Sequence, residues 1–179
     1  MEWTCRCGAF AADVDVTPAS IRAVCYCPSC RKFALKTGAG DALDEAGGSD
    51  LLQVAPEHVR FLRGAENLAW MQLTPKGPAR WYITCCNTPV ANTLLTPAIP
   101  FVTMMTHRIT DQDALPPVAV RVFRKHATQR VPDDSKGAGN LYWNFARRAL
   151  RSRLTGGWKR NPFFGPDGKP VAPGGPVAD

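Results

Sequence analysis

Through the N-terminal two-thirds of the chain, apolar residues alternate with polar or small ones at the period of a strand, not of a helix. Ala9 to Val16, interrupted by Asp13 and Asp15, reads as one strand. Thr17-Pro18-Ala19 turns the chain, and Ser20 to Cys25, with Ile21 and the β-branched Val24, reads as the next. Gly38 to Asp50 is rich in Gly, Ala and Asp, has little to bury, and is expected to be an exposed, mobile loop. A short strand is expected at Val59 to Leu62, ended by Gly64. Leu68 to Leu73 and Arg80 to Thr84 then form a hairpin across the Pro/Gly turn Thr74 to Ala79.

Beyond Pro116-Pro117 the pattern changes. Val118 to Phe123 adds one strand, and Pro132 to Gly137 is a loop. Leu141 to Leu154 has helical spacing, with Asn140 as its N-cap. At 100° per residue Leu141, Tyr142, Trp143, Phe145, Ala146, Ala149, Leu150 and Leu154 share one broad arc, expected to face the core, while Asn144, Arg147, Arg148 and Arg151 face water and Arg153 breaks the pattern. Gly156-Gly157 stops the helix. From Thr155 onward eleven of 25 residues are Gly or Pro, so the tail is expected to add little core. The fold class is therefore mainly β, with one domain over residues 1–115 and an extension over 116–179 that carries a basic helix at 140–154 and a Gly/Pro-rich tail.

The 179 residues, 45% of them hydrophobic, are enough for one domain with a real core. The most apolar stretch, Val90 to Met105, is broken by Pro97 and Pro100 and is too short to span a membrane. Of the net charge of +7, the segment Val118 to Arg160 holds eleven Lys and Arg against two Asp, a local +9, which leaves the rest of the chain at −2. A basic helix admits a binding module for nucleic acid or another anionic surface through Arg147, Arg148, Arg151, Lys159 and Arg160. No nucleic-acid motif accompanies it, and arginines on the wet side of a packed helix account for the same pattern.

The seven cysteines change the picture most. They are odd in number, fall in Cys-x-Cys and Cys-x-x-Cys spacings, and follow an N-terminus, Met1 to Thr4, that lacks the basic-then-apolar pattern of a secretory signal. A reduced, cytoplasmic, metal-holding protein is favoured over a disulfide framework. In Cys25-Tyr26-Cys27-Pro28-Ser29-Cys30, the first two thiols share a face if they end a strand, and a turn at Pro28-Ser29 brings back the third, so three sulfurs reach one metal. Zinc is the metal this donor set suits. Two readings stay open: a structural zinc completed by a distant His58, His107 or Cys85, or an open site whose fourth position takes water or substrate. Vicinal Cys85-Cys86 reads as ligation before it reads as a strained redox pair.

Cys5-Arg6-Cys7-Gly8, then Cys25 to Lys32, then an aromatic strand running into Cys86-Asn87-Thr88-Pro89 resembles the family of glutathione-dependent formaldehyde-activating enzymes and centromere protein V, over roughly Trp3 to Leu95. The resemblance implies a β-tent fold, a structural zinc held by Cys5, Cys7 and a late cysteine pair, and a second zinc held by Cys25, Cys27 and Cys30 as ligands of the catalytic site. It also implies carbon–sulfur lyase chemistry on a glutathione, or other thiol, adduct of formaldehyde or a related small aldehyde. The chain departs at the late motif, where Ile83 stands in place of the first cysteine and Cys85 lies next to Cys86, and these two share a metal only if the backbone turns there. Arg31 and Lys32 read as solvated surface charges, and secondly as attraction for the thiol's carboxylates.

Overall fold

In the computed structural model, which describes residues 1–133 and 137–176, the chain folds into two sheets and two helices. The small sheet joins β1 (Glu2–Thr4), β2 (Ala11–Val14) and β5 (Val59–Arg63) in the order β1-β2-β5. The large one has β3 (Ile21–Cys25), β4 (Ser49–Val54), β6 (Leu68–Gln72), β7 (Ala79–Ile83), β8 (Thr88–Thr93), β9 (Val102–Met105), β10 (Val118–Val122) and β11 (Gly174–Pro176). Its order is β10-β3-β4-β9-β8-β7-β6-β11. The inner pairs are antiparallel, and the outermost pairs, β10 with β3 and β11 with β6, are parallel.

The expected hairpin is present, with Trp70 opposite Trp81. The expected partition at residue 115 does not coincide with any break in the sheet, since β10 and β11 form both of its edges. Nor does the tail stay out of the core. A run of ring contacts passes from Trp3 to Phe10 (5.9 Å), Phe61 (5.2 Å), Phe163 (5.1 Å) and Trp81 (5.0 Å), so a tail phenylalanine links the two sheets. Composition missed it because Phe163 and Phe164 sit in a stretch otherwise written in Gly, Pro and polar residues.

Two further expectations are corrected. Pro28-Ser29 does not simply turn the chain: it opens α1 (Pro28–Lys36), with Cys27 as N-cap and Pro28 in the first turn, where proline's missing N–H costs nothing. The segment after it is not a free loop. Ala39, Ala42 and Ala46 are buried, and Asp44 accepts hydrogen bonds from the Tyr26 hydroxyl (2.8 Å) and from the backbone N–H groups of Ala46 and Gly48. That Asx-type closure ties residues 44–48 to the end of β3.

The second helix, α2 (Gly137–Leu154), begins before the expected cap at Asn140, and Gly156 ends it in the left-handed conformation (φ 71°). The loop expected over residues 132–137 lies partly outside the described residues. The facing of α2 departs from the expected one in part: Leu141 and Phe145 are half-buried and Arg147 and Arg151 exposed as expected, but the buried positions are Arg148 and Ser152. Arg148 is 5% exposed and Ser152 0%, whereas Trp143 is 65% and Leu154 78% exposed. The surface beneath is polar: Arg148 donates to Gln53 Oε1 and the Ala19 carbonyl, and Ser152 Oγ donates to Glu57 (2.8 Å). Leu154→Ser is accordingly expected to change the unfolding free energy in urea by less than about 0.5 kcal/mol. A core leucine truncated to alanine would cost about 2–5 kcal/mol.

Candidate metal centre

Seven cysteines meet at two places, each built where a strand runs into a turn. At the first, β1 ends and Cys5 to Phe10 closes a tight loop. The Cys5 N–H donates to the Phe10 carbonyl (3.0 Å), the Phe10 N–H donates to Cys5 Sγ (3.2 Å), and Gly8 supplies the positive φ (77°) the loop needs. From the other side comes the turn between β7 and β8, where Asn87 takes φ 52°. This is the backbone turn that adjacent cysteines require to face one metal. Cys5, Cys7 and Cys86 have sulfurs within 4.8 Å of one another, and Cys85 Sγ lies 3.2 Å from Cys7 Sγ. Ile83 is a core side chain and offers no ligand.

The protonation of this cluster follows from burial and partners. Burial raises the Cys5 thiol. At Cys86 burial also pushes upward, but hydrogen bonds from the Thr88 hydroxyl (3.0 Å) and from the Cys7 and Thr88 backbone N–H groups outweigh it and lower the thiol to about 6.

At the second place β3 delivers Cys25, the N-cap delivers Cys27, and the first turn of α1 delivers Cys30, again with sulfurs within 4.8 Å of one another. Cys25 and Cys30 Sγ are 3.5 Å apart. Tetrahedral zinc with bonds of about 2.3 Å needs sulfur separations of about 3.8 Å, so this donor set fits zinc with little adjustment. As an N-cap, Cys27 Sγ accepts from the Cys30 N–H (3.3 Å). Contacts with the other two thiols, then that N–H and the Arg80 guanidinium, hold Cys27 well below the usual thiol range against the push of its burial. Cys25 is raised by its hydrogen bonds with Cys27 and Cys30 and by burial.

Arg80 belongs to the site although no motif singles it out. It lies on β7 on the face opposite Ala79, Trp81 and Ile83, and it is buried. Its Nη1 donates to Asn92 Oδ1 (2.8 Å) and lies 3.4 Å from Cys30 Sγ, while Nη2 donates to Ser29 Oγ (2.8 Å). Asn92 in turn donates to Thr103 Oγ1 (3.0 Å). The only available signal was an arginine in a strand whose neighbours are all aromatic or apolar. Arg31, read as a surface charge, instead donates to the carbonyls of Gly47 (3.3 Å) and His126 (2.7 Å) and pins the loop beside the site.

Among the described residues no fourth His, Cys, Asp or Glu joins Cys25, Cys27 and Cys30. His58 pairs with Asp15 (2.9 Å), and Cys85 belongs to the first cluster. What adjoins the triad is a cavity of about 580 Å³, between the large sheet and α2, reached by Cys25, Cys27 and Cys30. No helix among the described residues is long and apolar enough to cross a membrane.

His107 is held neutral by burial, which lowers it from 6.5 to about 4. Between those values the unfolded chain binds a proton that the folded chain refuses, so stability falls as pH drops through that window, by at most about 3 kcal/mol in total. His107→Gln should flatten this slope in urea titrations at pH 7 and pH 5, with the zinc contribution common to both proteins cancelling in the difference.

No curated protein matches the chain. A crystal structure of a Rhodobacter sphaeroides protein is similar at 20% identity and a TM-score of 0.47, over 68% of this chain and 99% of that one. Residues 1–173 match the family described as a family of unknown function (DUF6151), and the chain belongs to that family.

Proposed function

We propose that the protein is a zinc-dependent carbon–sulfur lyase of the β-tent type, related to the glutathione-dependent formaldehyde-activating enzymes, acting on a thiol adduct of formaldehyde or a small aldehyde. One observation carries the reading: three thiols converge at the edge of a cavity with no fourth protein ligand among the described residues, so a metal held there has a free position that faces the cavity. The other cluster, with Cys85 beside Cys7, serves as the structural site.

The reaction is the interconversion of R–S–CH2–OH with R–SH and formaldehyde. The carbon–sulfur bond breaks, its electron pair stays on sulfur, and the hydroxyl proton is passed through solvent to the thiolate, so no oxidant or reductant is required. When bound, zinc supplies a Lewis acid that stabilises the sulfur as thiolate. The chain supplies the rest. Arg80 places a buried positive charge 3.4 Å from Cys30 Sγ, which offsets the excess negative charge of three thiolates on a divalent ion. Ser29 and Asn92 hold that guanidinium in one orientation, and the cavity walls beside it are largely apolar.

The test is NMR exchange of formaldehyde with a series of thiols, followed for acceleration over the uncatalysed reaction and for its loss in Cys27→Ser. No acceleration with any thiol would remove the lyase reading. The alternative, a zinc-stabilised binding module acting through α2, is supported by the exposure of Arg147 and Arg151 but weakened by Arg148, which is buried against Gln53. Retention of nucleic acid at low salt, falling steeply as salt rises, would favour it.

A further inference from the structure

The cavity beside Cys25, Cys27 and Cys30 has a chemical character that the thiolate triad alone does not dictate. Its walls come from Leu94, Phe101, Val122, Phe123, Leu141 and Phe145, and the Phe101 and Phe145 rings meet edge to face at 5.9 Å to close one side. Among the described lining residues there is no Lys, His, Asp or Glu, and Arg80 is the one charged side chain.

Most of the polar groups beside the triad are engaged with one another, the buried Arg80 Nε–H being the exception. Arg80 uses Nη1 on Asn92 and Nη2 on Ser29, Asn92 uses its amide on Thr103, and Gln53 Oε1 accepts from Arg148. Arg80 already faces the thiolates of the site. A carboxylate entering this cavity would lose its hydration and meet one guanidinium, whose two Nη groups are already committed and which keeps only Nε–H unpaired, so its burial is costly. An apolar group would gain by every square ångström it covers.

We propose that the thiol partner of this site is a neutral molecule with an apolar, ring-sized body, and not glutathione, for whose two carboxylates and ammonium the described lining offers one largely committed guanidinium and no acidic side chain. The inference rests on the thiol-binding reading above and names the class of thiol. The sulfur goes to the free position at the triad, and the body lies between Phe101, Phe145 and Leu94. Burial of one phenyl-sized group sets the scale of the discrimination, about tenfold to a hundredfold in affinity.

The experiment is calorimetric titration of the zinc-loaded full chain with 2-phenylethanethiol, glutathione and 2-mercaptoethanol under reducing conditions. The expected result is 2-phenylethanethiol binding at least tenfold more tightly than glutathione. Phe145→Ser should remove most of that preference and leave 2-mercaptoethanol unchanged. Leu94→Asp, on another wall, should do the same, and it keeps the test decisive if the helix variant does not fold. Glutathione binding as tightly as 2-phenylethanethiol, or both wall variants keeping the preference, overturns the inference while thiol binding stands. No binding of any thiol overturns the open-site reading and the inference with it.

Discussion

Cys27→Ser is expected to lower zinc from two per chain to one and to bring thiol–formaldehyde exchange down to the uncatalysed rate. Cys27 is both a member of the triad and the N-cap of α1, and serine is among the best N-cap residues, so the helix start survives the change. What is lost is a sulfur ligand whose surroundings favour the thiolate, replaced by a hydroxyl that does not ionise near neutral pH. Substituting groups that merely support metal ligands costs about tenfold to a hundredfold in affinity, and loss of a ligand itself should exceed that. Zinc analysis and circular dichroism on the same sample separate the outcomes. A folded Cys27→Ser variant that keeps two zincs, or keeps its activity, would contradict the assignment.

Loss of the first cluster is expected to show in stability, not in chemistry. Cys5 is buried, accepts the Phe10 N–H, and joins the loop after β1 to the turn between β7 and β8, two segments far apart in sequence. A metal bound a thousandfold above its dissociation constant contributes about 4 kcal/mol, which in a chain of this size is a melting shift of about 8–16 °C. Cys5→Ser should lose that much and one zinc, while Cys85→Ser, at an exposed position outside the tightest triad, should lose less. A Cys5→Ser protein that melts within about 2 °C of the parent would mean that the loop and turn hold without metal.

How far the sequence revealed this arrangement depended on whether the signal was local. The hairpin of β6 and β7 was legible because its turn and both alternating runs lie within sixteen residues of each other. The clustering of Cys25, Cys27 and Cys30 was legible for the same reason. Three features were not. Pro28-Ser29 suggests a turn by its residue types, although proline directly after a capping residue is a helix-start pattern, and α1 begins there. The inward turn of Arg148 and Ser152 on α2 is not legible because an apolar arc says nothing about the surface it meets, and here that surface presents Gln53, Glu57 and the Ala19 carbonyl, which take these two side chains. Arg80, Ser29 and Asn92 come from an early helix and two strands, and only the pairing of β7 with β8 places two of them side by side.

The same locality explains the tail. Parallel pairing of β11 with β6, and the insertion of Phe163 between Phe61 and Trp81, join residues about a hundred positions apart, and no periodicity within the tail records them.

A crystal structure of the zinc-loaded chain, with anomalous data at the zinc edge, decides whether a metal is held by three thiolates with its fourth position open to the cavity. The predicted result is two peaks. One lies among Cys5, Cys7, Cys85 and Cys86, and the other is bound by Cys25, Cys27 and Cys30 alone among protein groups, with solvent or added thiol at the fourth position. A fourth protein ligand at the second peak, or no peak there, would contradict it.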